Sequence, residues 1–189
     1  MVKQWPDRMF NFATTQIICQ MEISIRSIIL FATVMLTGLS AGLFYAWSVS
    51  VIPGTRKVPD VTYLETMQSI NRAILNPAFF TVFFGSLICL SIASIYEFHH
   101  NTLVFWLMLA ASVFYLVGTV GVTAIGNVPL NSQLEALQLK GIVSAQLIEF
   151  RKYYEMNWNK LHLIRTIFAV LSFMLSVLAL SIHSKSIST

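Results

Sequence analysis

The sequence predicts an all-α protein: an integral membrane four-helix bundle with amphipathic helices in the first and third connections. Three observations carry that prediction. Hydrophobic residues make up 56% of the 189-residue chain and charged residues only 11%, where a soluble domain carries about 25% charged residues. Mean hydropathy is +0.71. The charges are also absent from four long stretches: Ser27–Thr55, Ala73–Tyr96, Phe98–Leu134 and Thr166–Ser184. So little charge does not cover a water-facing surface, which sets aside a soluble enzyme, a nucleic-acid binder and a disordered linker. The net charge of +4 does not revive nucleic acid as a partner, because no basic run exists and the cations flank the apolar stretches.

About 20 apolar residues cross a bilayer core, so the spans fall at about residues 25–49, 78–96, 103–125 and 161–182. Residues 1–24 are set apart as an N-terminal extension with no signal-peptide plan, suited to the membrane surface. Residues 25–189 form the membrane domain. The runs are apolar on both faces, which excludes the alternation of a barrel strand. In the first connection, Val61, Leu64, Met67, Ile70 and Ile74 repeat at a helical period, with Thr62-x-x-Glu65 as a candidate capping box. Only Glu97–Thr102 joins the second and third spans, which makes them an antiparallel hairpin. Gly126-Asn-Val-Pro-Leu-Asn131 reads as a breaker and turn that ends the third span near Ile125. A second amphipathic helix is then expected over Gln133–Tyr154.

Lys3, Arg8, Arg26 and Lys185 fall on one side of the membrane. Arg56, Lys57, Arg72, Lys140, Arg151, Lys152 and Lys160 fall on the other, with Arg165 nearby. The positive-inside rule then places the structured loops 53–77 and 126–160 in the cytoplasm, with a bacterial inner membrane as the expected location. Arg26, beside the first span, pulls the other way.

Polar residues at membrane depth are site candidates by default, and here they gather at one end. Tyr45, Trp47, Ser48, Ser50, Asn71, Arg72 and Asn76 lie between the first two spans. Asn127 and Asn131 lie at the exit of the third, and Asn157, Trp158, Asn159, His162 and Arg165 at the entry of the fourth. Trp158, His162 and Arg165 stand at i, i+4 and i+7 and share one helix face. Each has a plain reading beside the functional one. Arg165 either snorkels to the headgroups or faces the bundle and holds an anionic oxygen. His162 is either a structural histidine bonded to a neighbouring Asn or a neutral base in an apolar pocket. The asparagines are good caps before Pro77 and Pro129. Tyr45 and Trp47 suit an aromatic belt, and Gly38 and Gly42 suit close helix packing.

Metal binding is poorly supported. His99 and His100 are adjacent, His162 has no second His at i+3 or i+4, and Cys19 and Cys89 form no CxxC pair. No phosphate-loop, dinucleotide, nucleophile-elbow or zinc-protease motif is present.

Four segments together carry a resemblance: Ala41-Gly-Leu-Phe-Tyr-Ala-Trp-Ser-Val-Ser-Val-Ile-Pro-Gly54, Met67-Gln-Ser-Ile-Asn-Arg-Ala-Ile-Leu-Asn-Pro77, Gly126-Asn-Val-Pro-Leu-Asn131 and Trp158-Asn-Lys-Leu-His-Leu-Ile-Arg-Thr166. In this order they resemble the anthrone-oxygenase-like family of small four-span membrane proteins, most of whose bacterial members are of unknown function. The resemblance covers roughly residues 30–182. It implies a cofactor-independent oxygenase, needing no metal, that acts with O2 on a lipophilic phenolic or quinone-like substrate. It implies His162 as base, with Arg165 and Asn131 also catalytic. Trp47, Asn71, Asn76, Asn127 and Trp158, with Tyr45 beside them, are the expected substrate contacts. A non-enzymatic membrane protein that binds a lipid or small ligand at the polar end fits the same residues. Expected partners are membrane lipid and a lipophilic small molecule; self-association into a homo-oligomer is left open.

Overall fold

A computed structural model describes residues 25–139, 141 and 143–188. The N-terminal extension, with Lys3, Arg8 and Cys19, and the loop residue Lys140 lie outside the described residues. Within them the chain forms five helices: α1 (Ile25–Thr55), α2 (Asp60–Ala73), α3 (Pro77–Glu97), α4 (Thr102–Glu135) and α5 (Ser144–Ser188). Four of them, all but α2, are long and apolar enough to cross a membrane.

The four spans pack as a square in which α1 touches α3 and α5, and α4 touches α3 and α5. A stripe of Leu30, Thr33, Thr37, Ser40, Ala41 and Phe44 turns α1 inward, and the apolar residues between them face lipid. These inward residues are mostly small, so backbones approach closely. The hydroxyls are satisfied locally: Thr37 donates to the Thr33 carbonyl at 2.7 Å and Ser176 to that of Ser172 at 2.8 Å. The core comprises Leu30, Phe44, Phe83, Leu90, Met108, Tyr115, Ala169 and Ala179. At its centre the Tyr115 hydroxyl donates to the Phe83 carbonyl at 3.1 Å and pairs with Ser40 at 2.7 Å.

The expected hairpin is present. The Asn101 side chain accepts from the backbone of Leu103 and Val104, both at 3.1 Å, and so starts α4. Beside it, Arg26 grips Glu97 with two bonds of 3.0 and 2.7 Å, and Glu97 is only 1% exposed.

Two expectations about helix ends are corrected. The third span does not stop at Ile125. It runs to Glu135 through two wide π-helical segments, Tyr115–Gly121 and Thr123–Asn127. The Val128 amide reaches back five residues to Thr123, and Pro129 then sits in the first turn of the α-helical stretch that follows. There its missing N–H costs nothing. The same device carries α1 past Val49: the π segment Trp47–Val51 precedes Pro53. Gly126 serves packing rather than a turn, since a Cβ there would lie 2.7 Å from Leu161 Cδ1.

The helical pattern expected over Gln133–Tyr154 is shared between the end of α4 and the start of α5. Residues 136–143 separate the two. No Gly or Pro lies between Tyr154 and Leu161, so the helix continues straight into the fourth span. Its 45 residues reach about 68 Å at 1.5 Å per residue, far beyond a bilayer core of about 30 Å. The amphipathic helix α2 packs on that projecting part. Tyr63, Leu64 and Met67 meet Leu130 and Leu134 of α4 and Leu147, Tyr154 and Trp158 of α5 in a second small core. Burial, and then the nearby Glu155 carboxylate, push the Tyr63 phenol well above its ordinary range, so it stays neutral.

The capping box at Thr62 does not form, because α2 begins earlier, with Pro59 as its N-cap. Arg151 fixes that start by donating to the Val58 carbonyl and to Asp60, both at 2.8 Å. Gly38 lies where a Cβ would come within 3.0 Å of the Phe173 ring, whereas Gly42 has nothing within 4 Å and plays no part in close packing. Gly118 is the tightest approach: a Cβ there would overlap Phe168 of α5. Gly118→Ala is therefore expected to force α4 and α5 apart and lower stability by about 1–3 kcal/mol, read as a fall in melting temperature in detergent. An unchanged melting temperature would contradict this packing.

Candidate functional site

A cavity of about 470 Å³ opens at the end of the bundle where α2 lies, between α1, α3, α4 and α5. Trp47, Asn71, Asn127, Asn131, Trp158, His162 and Arg165 all line it. Two expected residues do not. The Asn76 side chain caps α3, accepting from the Phe79 amide at 3.0 Å, and Tyr45 is 59% exposed on the outer face of α1.

The helical stripe on α5 produces the site's centre. The Trp158 and His162 rings stack at 5.1 Å and 9°. Trp47, from the π segment of α1, leans on Trp158 at 5.8 Å. One turn further, Arg165 turns into the bundle instead of out to the headgroups. It is 9% exposed, with its guanidinium carbon 4.8 Å from the Trp158 ring and 5.0 Å from the Phe44 ring. Among the described residues no carboxylate pairs with it. Glu135, on the cavity wall, is engaged by Arg72 at 2.8 Å. Two aromatic faces and one histidine nitrogen lie against the charge.

That nitrogen defines the tautomer of His162. Arg165 Nε and Nη2 lie 3.2 and 3.0 Å from Nδ1. A guanidinium only donates, so Nδ1 is the bare, accepting nitrogen. On the other side Nε2 lies 3.1 Å from the Phe44 carbonyl, which only accepts, so Nε2 carries the proton. His162 is thus neutral. Ser48 Oγ, 3.0 Å from Nε2, and Thr166 Oγ1, at 3.4 Å, complete its surroundings. The plain reading with an asparagine partner does not describe it.

A second chain of bonds holds the stack in place. The Asn131 amide oxygen accepts from Trp158 Nε1 at 2.9 Å and from the Tyr154 hydroxyl at 3.0 Å. Asn71 of α2 donates to that hydroxyl at 3.2 Å. Among the described residues Asn131 Nδ2 has no hydrogen-bond partner, which leaves it a donor on the cavity wall. Asn127 Nδ2 donates to the Trp158 carbonyl at 3.4 Å, and its Oδ1 is buried without a partner.

Sequence reasoning counted Ser48 among the polar residues of this end without giving it a role, and missed Phe44, Thr166 and Tyr154. Tyr154 was within reach, since it extends the stripe of Trp158 and His162 back by one turn. Ser48 continues the inward stripe of α1 one turn past Phe44, four residues on, and its Oγ donates to the Phe44 carbonyl at 3.0 Å. Among the described residues no group of three His, Cys, Asp or Glu side chains gathers to hold a metal ion.

A buried cation with no counter-charge is costly to the empty protein. Arg165→Met is expected to leave the melting temperature unchanged or raise it, despite the lost contact with His162. A fall of several degrees would mark Arg165 as a structural residue.

A family model described as anthrone oxygenase matches residues 78–175, a stretch that carries Asn127, Asn131, Trp158, His162 and Arg165. No curated protein and no solved structure matches the chain.

Proposed function

The chain belongs to the anthrone oxygenase family, and from that membership and the site we propose a membrane-embedded, cofactor-independent oxygenase acting on a flat, lipophilic phenolic or quinone-like molecule. The observation that carries the proposal is Arg165, a buried guanidinium on a cavity wall with no carboxylate partner.

An anthrone has an acidic CH2 para to its ring carbonyl. Deprotonation moves charge to the carbonyl oxygen, and in a dry cavity a fixed cation stabilises that oxyanion strongly. Arg165 supplies the cation and Asn131 Nδ2 a further donor. His162 Nδ1 takes the proton once the substrate oxygen has drawn the guanidinium away from it. The electron-rich anion reacts with O2 at carbon. The hydroperoxide so formed loses water, so that CH2 and O2 become C=O and H2O. Trp47 and Trp158 offer faces for stacking. Asn71 and Asn127 act through Tyr154 and Trp158, as positioning residues. The site end of the bundle faces the cytoplasm of a bacterial inner membrane, by the balance of Lys and Arg.

A second reading has its own support. The lone pair of His162 is already occupied by Arg165, as it would be in a non-enzymatic protein that binds an anionic lipophile or lipid at the same place. Gln at position 162 accepts from Arg165 but is no base, so it separates the two.

The test is oxygen uptake by purified, metal-stripped protein in detergent with a simple anthrone. Wild type is expected to exceed the spontaneous rate. His162→Gln is expected to retain binding and lose about 10²–10⁴-fold in turnover, the usual share of a general base. Arg165→Met is expected to lose both. Saturable binding without uptake in any variant would favour the ligand-binding reading and sink the oxygenase.

A further inference from the structure

The cavity has a side crossed by α2, where the exposed Arg72–Glu135 pair lines it, and a lateral side between α3 and α4. Gln68 of α2 donates to the Leu134 and Leu137 carbonyls at 2.8 and 3.1 Å, tying α2 to the last turn of α4 and the chain just past it. Arg72 adds its bond to Glu135. The second small core lies beneath the same helix, so lifting α2 exposes Tyr63, Leu64 and Met67 together.

The lateral side differs. Near the 98–101 turn, α3 packs closely on residues 102–114 of α4. It barely touches 115–121 and makes no comparable contact with 123–127. The hairpin is therefore splayed at the cavity end. The residues framing that gap line the cavity and face outward as well. They are Phe80 and Phe84 on α3, which stack on each other at 5.9 Å, and Ala124 and Val128 on α4. Phe84 is 45% and Val128 48% exposed. Nothing polar lies in this frame.

We propose that the ligand enters from the bilayer, between α3 and α4, through a portal framed by Phe80, Phe84, Ala124 and Val128. The inference rests on the reading that the cavity holds a lipophilic ligand. It commits that ligand to a class: a planar aromatic ketone or phenol, uncharged on arrival and dissolved among the acyl chains. A charged, water-borne molecule would meet four apolar side chains before reaching Arg165. The charge that Arg165 stabilises is thus created inside the cavity and not imported.

The experiment uses the full chain in lipid nanodiscs, with Trp5→Phe and Trp106→Phe so that only Trp47 and Trp158 report. The probe is anthraquinone, mixed by stopped flow and followed by its quenching of tryptophan fluorescence. Ala124→Phe narrows the portal and is expected to slow association and dissociation alike by about tenfold, with the equilibrium quench little changed. Val128→Phe, on the lipid-facing side of the frame, is expected to act in the same direction. Gln68→Ala loosens α2 and is expected to leave the rate alone. Faster entry in Gln68→Ala with no slowing in either portal variant would overturn the portal and place entry under α2. A change in affinity with the association rate preserved would overturn it too, making Ala124 a wall and not a gate. No saturable quenching in wild type would instead remove the lipophilic-ligand reading, and the portal with it.

Discussion

The organisation of the site end depends on one constraint, a guanidinium buried within the helix bundle with no carboxylate partner among the described residues. The protein contains a direct comparison. At the opposite end of the bundle Arg26 is matched by Glu97 in a two-point grip, which neutralises both and joins α1 to α3. Arg165 has no such match. It rests on the Trp158 and Phe44 rings and on one lone pair of His162. Each of these supports is in turn held. The Phe44 carbonyl fixes the proton of His162 on the far nitrogen, and Asn131 fixes Trp158. Tyr154 and Asn71 extend that chain to α2. An arginine that served only the fold would be better served by a carboxylate. In the proposed function the guanidinium on the cavity wall is the group that would hold the oxyanion.

The wide turns make that arrangement geometrically available. An ordinary α-helix brings residues three and four apart onto one face. The π segment of α1 begins at Trp47 and Ser48, which lie against Trp158 and His162. The segments of α4 end at Asn127 and carry the helix past Gly126. Both stretches lead into a proline, Pro53 or Pro129. In water a proline after a glycine usually ends a helix. In a membrane a helix that ends exposes carbonyls and amides to lipid, at several kcal/mol for each group left unpaired. Widening the turn to reach one residue further is the cheaper solution, and it leaves a bulge where the cavity needs side chains.

That same difference explains what could be read from the residues alone. The four spans were legible because charge is so scarce, and the α3–α4 hairpin because the connection is so short. The stripe of Trp158, His162 and Arg165 was legible because helical spacing is rigid. The end of the third span was not. The rule that Gly-Asn-Val-Pro makes a turn assumes that water will satisfy the freed backbone. Nor was the single long α5, since a change from polar to apolar composition marks where a helix enters the membrane and not where it starts. Tyr45 and Asn76 share the polar end in sequence but not the cavity. One faces outward from its helix, and the other spends its oxygen on the Phe79 amide, as its place before Pro77 suggests.

In the proposed mechanism the resting hydrogen bond between Arg165 and His162 also controls timing. With the cavity empty, the only lone pair of the imidazole is masked by a cation. The base is silent and the cation is partly satisfied. A carbonyl oxygen entering the cavity competes for the guanidinium, and as Arg165 turns to it the Nδ1 lone pair is released beside the substrate. Binding and base activation then become one event, driven by the same donors that later hold the oxyanion. A dry site suits this coupling. In water the guanidinium would exchange its partners for solvent at little cost, and the histidine would stay available whether or not substrate was present. In this mechanism Arg165, buried beneath α2 and beside apolar side chains, has two partners to choose between: the histidine and the substrate. Such an exclusive choice lets an enzyme without a metal create a carbanion only when there is a molecule to make it from, and only where O2 dissolved in the bilayer can reach it.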